Sequence, residues 1–304
     1  MRYSSRKEFL QGSAAVMAAM LLRNSLGIKE KQLKLAFSTL GCPDWNFPQI
    51  VDFAKLRGYT GIELRGIQRQ MDLSKCGEFN TESKRKETLI LMKDKGLQFV
   101  DLGSSANMHL MDAAENKKNL DEGRSFVDLA QEINCPYVRV FPNKIPKDQK
   151  EATIEVIAQH LHQLGEYAKG KNVTVLMETH GDAVWTADIV KIMELANHAQ
   201  VGLVWDVSNM WTITKEPPVD VYKRLSKYIH HTHIKDAKME NNEPHYVFIG
   251  KGEVPIFQAI DALNKGGYKG YYSFEWEKMW HPEIDEPEAA FADYSKAMQD
   301  HFRQ

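Results

Sequence analysis

Four runs in this chain end an apolar stretch with a side chain that can bind a cation or move a proton. Residues 228–236 read YIHHTHIKD, an alternation of apolar and polar residues that stops at a charged pair. His231 and His233 are two apart, so on a β-strand their side chains leave the same face. VTVLMETH places Glu178 at the end of an apolar run, VGLVWDVSN does the same with Asp206, and YYSFEWE with Glu275. These residues follow one another at 28, 27 and 42 positions, in steps of roughly one βα unit of about 30 residues. Three carboxylates and an imidazole suit one divalent cation of intermediate hardness: Mn2+ is expected, with Mg2+, Co2+ or Zn2+ as alternatives.

The elements that must carry these groups alternate regularly. Strands are expected at 34–39, 61–65, 97–103, 136–142, 173–178, 201–206, 229–235 and 271–276, where β-rich apolar runs are punctuated by Gly, Pro and Asn. Helices are expected at 48–59, 81–95, 112–134, 145–169, 186–198, 218–227, 254–265 and 287–302, with apolar residues spaced by three and four. Strict strand–helix alternation predicts a parallel α/β sheet, and eight units predict closure into a single (β/α)8 TIM barrel over 33–304. No GxGxxG follows the first strand, which argues against a dinucleotide fold. Two long segments, 236–253 and 277–287, follow strands that supply candidate ligands and are expected to cover a substrate.

The motifs METH (177–180), WDVSN (205–209), HTHIKD (231–236), GKGEV (250–254) and SFEWE (273–277) resemble the xylose-isomerase-like TIM-barrel superfamily, the sugar phosphate isomerase/epimerase family. GIELR (61–65) matches in the N-terminal half. The resemblance implies that Glu178, Asp206, His233 and Glu275 form the metal set. It also implies removal of a proton from carbon next to a carbonyl or hydroxyl, with the metal stabilising the enediolate. That chemistry needs a Lewis acid on the oxygens and a carboxylate base above the carbon, so Glu178 and Glu275 are the expected acid–base pair. Ketohexose 3-epimerases of the family carry His, Glu and Arg where this chain has Asn209, Val184 and Met239. The expected substrate is therefore a keto-glycoside, an inosose or another oxidised keto-sugar. Two other outcomes are a metal-dependent dehydratase or lyase on the same kind of substrate, and a non-catalytic sugar-binding barrel.

Around that centre, His180, Asn209, His231, Lys235, Arg139, Trp280 and His281 are the candidate substrate contacts. Lys235 could instead pair with Asp236. A buried Arg139 must meet either a barrel acid or a substrate oxygen. Trp185, Trp211, Trp276 and Trp280 could wall in the C–H faces of a sugar, or simply pack.

With 304 residues, 43% hydrophobic, the chain can bury one full core, and a net charge of −2 without a basic stripe excludes nucleic acid as a partner. Cys42, Cys76 and Cys135 are widely spaced and are expected as buried small hydrophobes. Residues 1–32 read as a signal-like leader: Arg2, Arg6 and Lys7 precede an apolar run at 12–22, and SRKEFLQ resembles a twin-arginine motif with Lys7 in place of the second arginine. An exported, periplasmic protein is expected, with a cytoplasmic location as the alternative, no stable membrane anchor in the mature chain, and a homo-oligomer compatible with the sequence.

Overall fold

The computed structural model describes residues 33–241 and 243–303; the expected leader lies outside the described residues. Eight parallel strands close on themselves: β1 (Leu35–Ser38), β2 (Gly61–Leu64), β3 (Gln98–Asn107), β4 (Tyr137–Phe141), β5 (Thr174–Glu178), β6 (Val201–Asp206), β7 (Ile229–Ile234) and β8 (Tyr272–Phe274). Neighbours in sequence are neighbours in the barrel, and β8 returns to β1 through Leu35↔Tyr272, Ala36↔Ser273 and Phe37↔Phe274. The expected (β/α)8 barrel is the observed fold.

Local signals set the helix ends. Asn46 caps helix Phe47–Leu56 in a reciprocal capping box with Gln49, and Gly96, at φ 70°, stops helix Glu82–Lys95 in a left-handed conformation that favours glycine. The spacing expected in helix Lys150–Ala168 places Ile154, Ile157, Leu161 and Leu164 in the core. Helix Pro287–Arg303 covers the β8–β1 seam with aromatic rings: Phe291 stacks on Phe37 at 4.3 Å and Tyr294 on Phe274 at 4.5 Å. Cys42, Cys76 and Cys135 are buried free thiols. Among the described residues no helix is long and apolar enough to cross a membrane.

Three segments differ from the sequence reading. β3 continues through Asn107, beyond the strand expected at 97–103, because its backbone stays paired to β4 after a register shift between Gly103 and Asn107. Residues Val207–Thr214 form a helix, since Asp206 caps it by accepting the Asn209 N–H at 2.8 Å. The segment expected as a long loop after β7 is an antiparallel hairpin, Asp236–Glu240 with Glu243–Val247.

Asp236 holds that hairpin. Its Oδ1 accepts the N–H groups of Ala237 (2.9 Å) and Val254 (3.2 Å), and its Oδ2 those of Gly250 and Gly252, both at 2.9 Å. A Cβ on Gly252 would lie 2.1 Å from Asp236 Oδ1, so the GKGEV turn is glycine-rich because its backbone wraps a carboxylate. The alternative Lys235–Asp236 pair is not formed, since both Asp236 oxygens are committed to backbone. Hydrogen bonds to a charged group contribute about 1.5–3 kcal/mol each, and buried donors left unmet cost about as much. Asp236→Ala is expected to destabilise the barrel by about 3 kcal/mol in denaturant unfolding, with Asp236→Asn losing less.

Candidate metal centre

The strand alternation that faces apolar residues toward the helices faces polar ones into the barrel. Glu63, Asp101, Arg139, Glu178, Asp206, His231, His233, Ser273 and Glu275 are all buried. Donor atoms of Glu178, Asp206, His233 and Glu275 lie within 4.8 Å of one another, so β5, β6, β7 and the end of β8 bring the four expected ligands together.

His233 is the hub. Its Nδ1 lies 3.2 Å from Glu275 Oε1, 3.5 Å from Glu178 Oε1 and 3.8 Å from Asp206 Oδ2. On the other side of the ring, Nε2 lies 3.2 Å from Glu63 Oε1. Were a cation bound at Nδ1, the remaining ring proton would sit on Nε2, on the side of Glu63. Glu63 Oε2 in turn accepts from Ser273 Oγ at 2.8 Å and lies 2.9 Å from His231 Nε2.

The donor set fits a divalent cation. His233 Nδ1 and Asp206 Oδ2 are buried and make no aligned hydrogen bond; Lys235 Nζ is 2.8 Å from Asp206 Oδ2 but off the hydrogen-bond direction. Burial first, then the charges of Glu275 and Glu178, push the Asp206 carboxyl up to about 7 against the pull of Lys235 and His233. Burial likewise opposes charge on His233, yet Glu275, Glu63 and Glu178 outweigh it and raise the imidazole well above its ordinary range. Such crowding of like charges is what a bound dication relieves.

Two cations back the outermost acids. Arg139 Nε is 3.1 Å from Glu178 Oε2, so the barrel-acid alternative for Arg139 is the observed one. Lys235 Nζ sits 2.5 Å from Glu275 Oε2 and 2.5 Å from Glu277 Oε1. Asn209, in the helix after β6, reaches Glu178 Oε1 with Nδ2 at 3.4 Å.

The remaining candidates lie further out or deeper. His231 was expected to meet a sugar hydroxyl; it is instead fully buried two residues deeper on β7, against Glu63. His180 is partly buried beside Phe141, its Nδ1 2.8 Å from Asn143 Oδ1. His281 packs edge-on against Tyr246 of the hairpin, 4.0 Å from Glu277. Trp280 and Trp185 are 52% and 48% exposed, whereas Trp276 is buried and donates to Asp285 O. Sequence reasoning passed over Glu63, Arg65, Asp101 and Glu277. Their signal was a charge at an inward position of an otherwise apolar strand, or just past its end.

A family model described as xylose isomerase-like TIM barrel matches residues 51–301. The 3-dehydroshikimate dehydratase of Bacillus anthracis is 25% identical over 227 residues, 71% of this chain and 78% of that enzyme. Inosose dehydratase 1 of Bacillus cereus is 27% identical over 139 residues, 40% of this chain and 46% of that enzyme, so this chain spans about half of it. Fructoselysine 3-epimerase of Shigella flexneri is 23% identical over 184 residues, 59% of this chain and 66% of that enzyme. Among solved structures, the IOLI protein with a zinc atom superposes at a TM-score of 0.72 with 17% identity, over 88% of this chain and 98% of that one. A Mycobacterium smegmatis protein in complex with magnesium superposes at 0.67 with 16% identity, over 90% and 97%.

Removing the carboxylate behind a ligating imidazole lowers metal affinity about 10–100-fold. Glu63→Gln is expected to weaken Mn2+ binding on that scale in competition titrations, with the fold retained by circular dichroism. Because Asp206 must be ionised to bind, affinity should fall as pH drops through about 7.

Proposed function

Because the chain belongs to the xylose isomerase-like TIM-barrel family, we propose that it is a divalent-metal-dependent enzyme that removes a proton from carbon next to the carbonyl of a hydroxylated ketone and returns one, an isomerase or epimerase of an oxidised sugar. The observation that carries this reading is the pairing of two buried glutamates at the edges of one four-donor centre, each with a fixed cation behind it. Zinc and magnesium in related barrels support a cation at this centre, and three oxygen donors with one nitrogen favour Mn2+. A cation bound by Glu178, Asp206, His233 and Glu275 supplies a Lewis acid for adjacent substrate oxygens.

A base must be ionised at the pH where it works, and the surroundings of both glutamates see to that. Burial opposes the charge on Glu275, but His233 and Lys235 outweigh it and hold the carboxyl well below its usual range. For Glu178, burial and the charge of Glu275 push upward, and His233 and Arg139 bring the carboxyl back below its ordinary value. The two acids belong to β5 and the end of β8, with Asp206 and His233 on the strands between, so a ketone seated at the centre meets one from each side. One carboxylate takes the proton; the other, carrying a proton from solvent, delivers it to the same carbon or its neighbour. Lys235 and Arg139, each fixed on one of these carboxylates, keep them in position through the exchange.

The dehydratases among the relatives favour a second reading, loss of a β-hydroxyl after the same proton abstraction. Mass separates the two, since an isomer keeps it and dehydration removes water.

Incubating the Mn2+-loaded protein with keto-sugars in D2O should exchange the α-proton, followed by NMR, and chelation should stop it. Glu178→Gln and Glu275→Gln should each lower the rate at least about a hundredfold, the scale of general acid–base groups. One variant should retain exchange without product, and the roles should reverse from the product side. Full turnover in either metal-replete variant excludes the acid–base assignment.

A further inference from the structure

One cation at this end of the barrel has no acid of its own. Arg65, just past β2, is 7% exposed, and its guanidinium donates only to neutral oxygens, Gly103 O at 3.3 Å and Ser105 Oγ at 3.0 Å. Among the described residues no carboxylate comes within 4.0 Å of it. Isolating a buried charge in this way is costly, and native interiors seldom retain one without a partner.

Its neighbour makes the arrangement more unusual. A Cβ built on Gly103 would lie 2.7 Å from Arg65 Cδ and 2.8 Å from Arg139 Nη2, so both arginines pack against the bare Cα of one glycine. The β3–β4 register shift begins at this residue. Arg139 is neutralised by Glu178 and also donates to Ser104 O at 2.7 Å. Arg65 feels burial and the like charge of Arg139, which together bring its pKa down to about 9 against the pull of Glu178, Glu122 and Glu275, none of which touches it. A guanidinium with no carboxylate in contact is thus held beside Arg139, the partner of Glu178, at the glycine where the β3–β4 register shifts.

We infer that Arg65, set beside Arg139 over Gly103, is a specificity-determining residue that receives a carboxylate of the substrate, which makes the substrate class of this site hydroxylated keto acids and not neutral keto-sugars. Chemistry favours a carboxylate, because a guanidinium presents parallel N–H donors in a planar fork that two carboxylate oxygens can span. Two of the five N–H donors of Arg65 are used within the protein, which leaves donors for an incoming anion. The anion would supply the counter-charge in contact that the fold omits, so binding energy is drawn from a group that is not itself transformed. This inference rests on the proposed function in taking the metal centre as the substrate site.

Binding, not turnover, tests it, so its outcome is independent of proton exchange. Mn2+-loaded protein is titrated calorimetrically with matched pairs, 2-ketogluconate against fructose and 2-ketogulonate against sorbose, in which the acid differs from the neutral sugar by one oxidised carbon. The acids are expected to bind at least about tenfold more tightly. Arg65→Met should abolish that preference while leaving affinity for the neutral sugars and the metal content within about twofold. Arg65→Lys, which keeps the charge and loses the fork, should retain part of the preference, and it covers the case in which Arg65→Met does not fold. Equal affinity for acid and neutral partner, no binding of either acid, or a preference that survives Arg65→Met overturns the inference. An acid that merely chelates the metal would give that last result.

Discussion

Like charges crowded into a low-dielectric interior repel, and the centre of this barrel is arranged around the repulsion among Glu178, Asp206 and Glu275. Each escapes part of it differently. Glu178 leans on Arg139, Glu275 on Lys235, and Asp206 spends one oxygen on the cap of the following helix. What remains converges on His233 Nδ1, whose own orientation depends on Glu63 behind it. A site of this kind is weak evidence for stability and strong evidence for a ligand, because hydrophobic residues of the same size would stabilise the fold more.

The hairpin after β7 shows how the same strand serves chemistry and architecture. His233 faces the centre, Lys235 lies among Asp206, Glu275 and Glu277, and Asp236 turns away to collect four backbone N–H groups. The hairpin that Asp236 secures carries Tyr246, which is nearly buried beside Lys235 and packs against His281 of the segment after β8. The anchoring of this hairpin follows from a single carboxylate placed two residues past the end of β7. Precision of about half an ångström at a site requires support of this sort beneath its ligands.

An isomerase and a dehydratase can share this geometry, since both begin by taking a proton from a carbon acidified by a neighbouring carbonyl. What differs is which group leaves or returns afterwards, and that depends on how the substrate is held away from the metal. Here the wall at the ends of β2 to β4 holds Arg65 and Arg139 side by side, with Ser105 bonded to Arg65.

Strand–helix alternation, the eight units and the four donors at strand ends were legible in the chain, because each depends on local periodicity and on the rule that barrel chemistry gathers at strand C-termini. The lone charge in GIELR and the aspartate in QFVDLG carried an inward-pointing signal, yet nothing local told that Glu63 would meet His233 from 170 residues away or that Asp101 would be pushed up to about 6 by burial and by Glu63. Likewise, the 236–253 segment looked like a loop because its structure comes from backbone donors gathered on Asp236, not from an apolar pattern. Only barrel closure decides which charges become neighbours. Composition and spacing therefore determined the fold and the donor set, while the partner of each donor, the depth of His231 and the isolation of Arg65 were decided by tertiary packing, since pairing across strands depends on register and on the missing Cβ of Gly103.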